Sequence, residues 1–276
     1  LTYPQKQKST HPSRPLPKRQ IFPFLRLPAE IRNIIYEECL SDPRGVSLCT
    51  ATKHYRRTVE RYISPKDWDR EYSPKSDNGD GVAVQNEPTL RPLVPSLLAV
   101  NKQIYQEARN ILYENEFKLA DPLALHSFIV DIGSQAAKLL THVTLCSRIY
   151  GRSMQKGYNH SAFSMLASAT NIKKLRIESL TNWRDAPSWA ARQFYRDGFP
   201  WLEAVGAAKG KLDAALDLLE LCSPDDNCRN ADYEEVEPFK RELVKLLRAH
   251  MERMNEKPAP TKKTKMAKKD QFVYED

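Results

Sequence analysis

Leu140-Thr141-His142-Val143-Thr144-Leu145 has the apolar spacing L-x-x-L-x-L, and two later stretches repeat it: Ile172-Lys173-Lys174-Leu175-Arg176-Ile177 and Leu216-Asp217-Leu218-Leu219-Glu220-Leu221. Alternation of apolar and polar residues is the pattern of a strand with one buried face. Phe117-Lys118-Leu119 supplies the last two apolar positions of a fourth copy. Each copy follows a segment with helical spacing, at 97–114, 122–138, 160–170 and 200–214. A helix and a strand per unit, repeated, build a mostly parallel sheet with helices over a face. The three full copies are 32 and 44 residues apart, too irregular for a tight leucine-rich repeat of about 20–29 residues. The expected fold is therefore α/β, an irregular leucine-rich-repeat-like helix–strand array around a small, mostly parallel sheet. The same spacing also arises by chance in an apolar-rich chain, and Leu212, Ala215, Leu216 and Leu219 fit a helix equally well.

Working outward, Asp121-Pro122 reads as cap and first turn of the helix to about Lys138, and Ser96 as the N-cap of a helix Leu97–Glu114. Leu97, Val100, Ile104, Ala108, Ile111 and Leu112 form the apolar stripe of that helix. An earlier helix begins near Pro28 and carries Leu27, Ile31, Ile34, Ile35 and Leu40 at helical spacing. Between the two lies 41–95, weakly patterned and rich in turn formers from Ser73 to Gly81, which reads as an insertion with a short helix or strand around Tyr55–Ile63. Residues 223–237 read as an acidic loop, after which Pro238 opens a helix with Phe239, Leu243, Leu246, Leu247, Met251 and Met254 along one side. The expected organisation is a basic, disordered arm (1–21), a helical module (22–114) holding the insertion 41–95, a helix–strand region (115–222), an acidic loop with an amphipathic helix (223–256), and a Lys-rich tail (257–276).

The 276 residues carry a net charge of +8. Residues 1–22 hold +5 and 257–276 hold +3, which leaves the body neutral. A nucleic-acid-binding domain places its excess cations on the folded body, so that function class is disfavoured. The tail cluster Lys262, Lys263, Lys265, Lys268 and Lys269 suits nuclear import, or nonspecific, salt-sensitive contact with nucleic acid as an alternative function. The expected location is intracellular, nucleus or cytoplasm. Five scattered cysteines argue against a disulfide framework, and no apolar run reaches the ~18 residues of a membrane-spanning helix. Leu1 rather than Met opens the sequence, so the native start is expected to lie upstream.

Catalytic and cofactor motifs fail on inspection. Gly206–Leu212 is one residue short of a phosphate-binding loop and lacks its Ser or Thr, so Gly206 and Gly210 read as helix breakers. Gly151–Gln155 lacks the last glycine of a nucleophile elbow. Asp131-Ile132-Gly133-Ser134 has no second copy, and Cys222 with Cys228 has poor zinc spacing. The expectation is a non-enzymatic protein with no cofactor or metal. Trp183, Trp189, Phe194, Tyr195, Phe199 and Trp201 are expected to close one end of the core, with Trp183 the best candidate for exposure.

Phe24-Leu25-Arg26-Leu27-Pro28-Ala29-Glu30-Ile31-Arg32-Asn33-Ile34-Ile35-Tyr36-Glu37, followed by Ser96-Leu97-Leu98-Ala99-Val100-Asn101-Lys102-Gln103-Ile104-Tyr105-Gln106-Glu107-Ala108, resembles fungal F-box-like proteins. Those proteins keep an L-P-x-E-I helix and a split second helix, with helix–strand segments beyond. The resemblance implies a substrate receptor of a cullin ubiquitin ligase that docks on a Skp1-like adaptor through the helices and presents a protein substrate with the rest. It places Leu27, Pro28, Ile31, Ile35, Val100 and Ile104 at the docking contact. Two uses of these side chains stay open: a helix-in-groove surface, or packing of Leu27, Ile31 and Ile35 against Val100 and Ile104.

Overall fold

The computed structural model describes residues 22–62, 92–146, 156–178, 180, 184–222 and 233–255. They fall into two compact units, one of residues 22–44 and 92–115, the other of 45–62 with the described residues from 116 onward.

The second unit is the helix–strand array. Its elements in chain order are β1 (Val46–Lys53), β2 (Arg56–Arg61), β3 (Glu116–Leu119), α3 (Pro122–Ala137), β4 (His142–Leu145), α4 (Lys156–Leu166), β5 (Lys174–Ile177), α5 (Pro187–Lys209), α6 (Ala214–Leu218), β6 (Leu219–Leu221) and α7 (Tyr233–Asn255). The sheet order is β2-β1-β3-β4-β5-β6, with β1 and β2 antiparallel and every other pair parallel. The protein is thus a mixed α/β protein, with a mostly parallel sheet of six strands among the described residues.

The repeat positions meet across the strands. Val143 pairs with Leu175 and Leu175 with Leu219; Leu145 pairs with Ile177 and Ile177 with Leu221. Phe117 and Leu119 continue both rows, and so do Val46 and Leu48. All ten of these side chains are buried. A one-residue slip would turn each of them to the other face, so the alternation sets the register. Phe117 meets Phe128 of α3 at 4.8 Å between ring centroids, and the helix layer continues through Phe163, Phe194 and Phe239 in edge-on contacts. Phe194 and Trp201 are fully buried in the layer, whereas Trp189 is exposed; Trp183 lies outside the described residues.

Several local expectations need correction. In the stretch 41–95 the strand around Tyr55–Ile63 is present as β2, but β1 is unexpected, and it joins the sheet beside β3. The pattern hides β1 because only Val46 and Leu48 of its eight residues are large, apolar and buried. Gly45, which opens that strand, has φ +79°, and a Cβ there would sit 2.8 Å from the Glu116 carbonyl oxygen. Pro238 lies inside α7, whose first turn takes in Glu234 and Glu235, so the acidic stretch ends in a helix. The ring forgoes the backbone hydrogen bond that position 238 would otherwise give to the carbonyl of residue 234. Gly206 does not break α5. It is buried within it, and the helix ends at Gly210, whose φ of +68° makes it the left-handed cap. Asp121 caps α3 as expected, accepting the Ala124 N–H at 2.7 Å.

The first unit holds α1 (Ala29–Leu40) and α2 (Lys102–Tyr113), with 3-10 turns at Phe24–Arg26 and Pro95–Ala99. The single helix expected at 97–114 is broken. Pro95-Ser96-Leu97-Leu98-Ala99 turns as 3-10, and Asn101 is the N-cap in place of Ser96, its side-chain oxygen accepting the Gln103 N–H at 2.8 Å. Asn is among the strongest N-caps, so the helix starts where that bond is available.

Candidate functional site

The docking candidates all lie in the first unit. Its core is a cluster of Tyr36 and Leu40 from α1 with Ile104 and Ala108 from α2, joined by Phe24, Leu97, Leu98, Ile111 and Leu112. Helical periodicity then decides what faces outward. With Tyr36 and Leu40 turned in, Ile31 and Ile34 stand on the outer side of α1, 43% and 56% exposed. Val100, just before α2, is 70% exposed, whereas Ile104 is 5% exposed. Of the sequence candidates, Ile31, Val100 and Pro28 are thus at the surface, Leu27 and Ile35 are half-buried, and Ile104 is core. Ile104 leaves the contact set because its side chain closes the α1–α2 interior. Ile34, in the stripe but not among the contacts, joins it.

A polar network holds the two helices in place. Glu107 of α2 accepts Arg32 Nε at 2.9 Å and Arg32 Nη2 at 2.8 Å, a two-pronged pair across the helices. It also accepts the Tyr36 hydroxyl at 2.8 Å and Gln103 Nε2 at 2.9 Å. Arg32 turns a third nitrogen, Nη1, to the Leu27 carbonyl at 2.6 Å, which ties the Leu27-Pro28 entry of α1 to the same group. Charge-assisted, bidentate bonds of this kind fix angle as well as distance. The Arg32 guanidinium, with help from Gln103 and Tyr36, holds the Glu107 carboxyl down to about 2. Burial, and then the bond to Glu107, push the Tyr36 hydroxyl up. Glu107 therefore stays ionised across the physiological range.

The signal that was available for this network is spacing: Arg32 and Tyr36 are four apart on α1, and Gln103 and Glu107 four apart on α2, so each helix presents two polar groups on one line.

The far ends of the helices are joined by Asn115. Its amide nitrogen donates to the Leu40 and Leu112 carbonyls at 2.8 Å each, and its oxygen accepts the Asp42 N–H at 2.8 Å. Carbonyls left over at two helix C-termini are thereby satisfied by one side chain. A shallow cleft beside it is lined by Glu37, Glu38 and Glu114. On another side, a cleft of about 580 Å³ runs along Leu98, Val100, Lys102, Tyr105 and Arg109.

Residues 18–155 match the family model described as a domain of unknown function (DUF7730), half of the chain. The chain belongs to that family. The DUF7730 match takes in α1, α2, their connecting polar network, the hairpin, and the sheet as far as β4. No curated protein and no solved structure gives a significant match.

No metal centre joins this arrangement: among the described residues no group of three or more His, Cys, Asp or Glu side chains is placed to hold an ion. Among the described residues, Cys39, Cys49, Cys146 and Cys222 form no disulfide. No helix among the described residues is long and apolar enough to cross a membrane. The lysines of the tail cluster, Lys262 to Lys269, lie outside the described residues.

Proposed function

We propose that the α1–α2 unit is a helical docking module for a Skp1-like adaptor, and that the chain is a non-enzymatic substrate receptor of the F-box-like kind. The observation that carries this reading is the outward apolar set Ile31, Ile34 and Val100, set on helices whose own core is already complete without them. Exposed apolar side chains outside the core, on a framework fixed by Arg32 and Glu107, are what a helix-in-groove contact requires. Full burial of an aliphatic side chain is worth about 1.5–3 kcal/mol. Three half-exposed ones thus supply roughly 3–5 kcal/mol before the costs of association, enough to matter in a specific complex.

The test is co-elution of the whole chain with recombinant Skp1-like adaptor in size-exclusion chromatography. The wild type is expected to co-elute and Ile31→Asp/Ile34→Asp to elute alone with unchanged circular dichroism. A wild type that elutes alone at micromolar concentrations removes the adaptor from the account.

A further inference from the structure

The cleft beside α2 has a chemistry of its own. Val100 forms an apolar lip, with Leu98 and the Tyr105 ring beside it. Lys102 and Arg109 are the charged groups of the lining, Asn101 and Gln106 the neutral polar ones, and no carboxylate is among them. The Arg109 guanidinium lies over the Tyr105 ring, 5.5 Å from its centroid, which limits the directions the cation can take. Its Nε is buried and has no hydrogen-bond partner. The first turn of α2 contains no acidic residue, and its N-cap, Asn101, is neutral. By contrast, three glutamates, Glu37, Glu38 and Glu114, line the cleft beside Asn115.

We infer that the Val100–Arg109 cleft binds a protein segment presenting an aliphatic side chain next to a carboxylate, the aliphatic group against Val100 and Tyr105 and the carboxylate on the Arg109 guanidinium. The cleft joins an apolar wall to a guanidinium cation with no carboxylate in the lining, and a charge-assisted bond to that cation is what an incoming carboxylate would gain. Lys102 adds attraction at longer range. A purely cationic or purely polar segment leaves either the charge or the apolar lip unmatched. The inference rests on the docking reading only for who supplies the segment, the adaptor; the chemistry of the cleft is testable without that protein.

The probe is 4-methylpentanoate, an aliphatic chain ending in a carboxylate, with 4-methylpentanamide as the neutral match. Both are titrated into the ¹⁵N-labelled full chain and followed by amide shifts of Val100, Lys102, Tyr105 and Arg109. The acid is expected to give saturable shifts at these residues, with the amide at least tenfold weaker. Arg109→Gln is expected to bring the acid to the level of the amide, and Val100→Ser to weaken both. Equal shifts from acid and amide, shifts of equal size in the sheet unit, or an Arg109→Gln variant that still prefers the acid would overturn the inference. Failure of the adaptor to bind, with the acid still selected, would refute the docking reading alone.

Discussion

Asn115→Ala is the sharpest perturbation of the α1–α2 framework. It removes three bonds of 2.8 Å at once: two donated by the amide nitrogen, to Leu40 and Leu112, and one accepted from the Asp42 N–H. Leu40 and Asp42 are both buried, so water does not readily replace the lost partner. A buried backbone group left without a partner costs about 1–3 kcal/mol, and two such groups give roughly 2–6 kcal/mol, centred near 4. At about 1.4 kcal/mol per tenfold, that centre corresponds to a loss of protection from hydrogen exchange of about 500- to 1000-fold. The assay is hydrogen-exchange mass spectrometry on peptides covering α1 and α2, with peptides from β4 and β5 as the internal reference. Protection should collapse in the helical peptides and hold in the strands. Asn115→Asp keeps the acceptor but cannot donate to the two carbonyls, and it buries a charge, so it should be at least as damaging as alanine. Helical protection within threefold of wild type in Asn115→Ala would show that the amide does not hold the two helix ends together.

Three further outcomes follow from the same physics. Ile177→Ala removes a fully buried side chain between β4 and β6 and should cost about 2–5 kcal/mol in urea unfolding; a cost below 1 kcal/mol would contradict the inward register of the repeat. Gly45→Ala and Gly210→Ala both force a left-handed residue, but only Gly45 adds a clash with the Glu116 carbonyl, so Gly45→Ala should lower the melting temperature clearly more; equal losses would refute the close approach of β1 and β3. Because the folded-state value of Glu107 lies below its ordinary 4.5, its contribution is fully present above about pH 4.5 and fades as pH falls toward about 2. The melting temperature of the wild type should therefore exceed that of Glu107→Gln at pH 7 and converge on it near pH 2. A gap that stays constant over that range would remove the ionised carboxylate from the framework.

The array was legible because its signal is periodic. Val143, Leu145, Leu175 and Ile177 alternate in place, and a period of two leaves one register that buries them all. β6 was readable only in part, since Leu216 through Leu221 serves both periods, and the chain indeed passes from the short α6 straight into β6 there. β1 escaped because it joins the sheet through pairing with residues some seventy positions later. Such pairing is a tertiary effect that local pattern does not carry. In the helical unit, the stripe of α2 identified Ile104 and Ala108, but which apolar residues face out depends on how two helices meet. Ile104 and Val100 share a stripe in sequence, yet the break at Asn101 separates their fates. The Arg32–Glu107–Tyr36 network joins residues more than seventy apart, so no local spacing could pair them, although each helix showed its own half.

The central claim, that Ile31, Ile34 and Val100 form a docking surface, is tested most directly by hydrogen exchange of the full chain with and without a saturating Skp1-like adaptor. The account predicts added protection in peptides spanning 29–40 and 98–109, with β3 to β6 unchanged. Binding that protects only the sheet, or no protection at all under saturating adaptor, would contradict it.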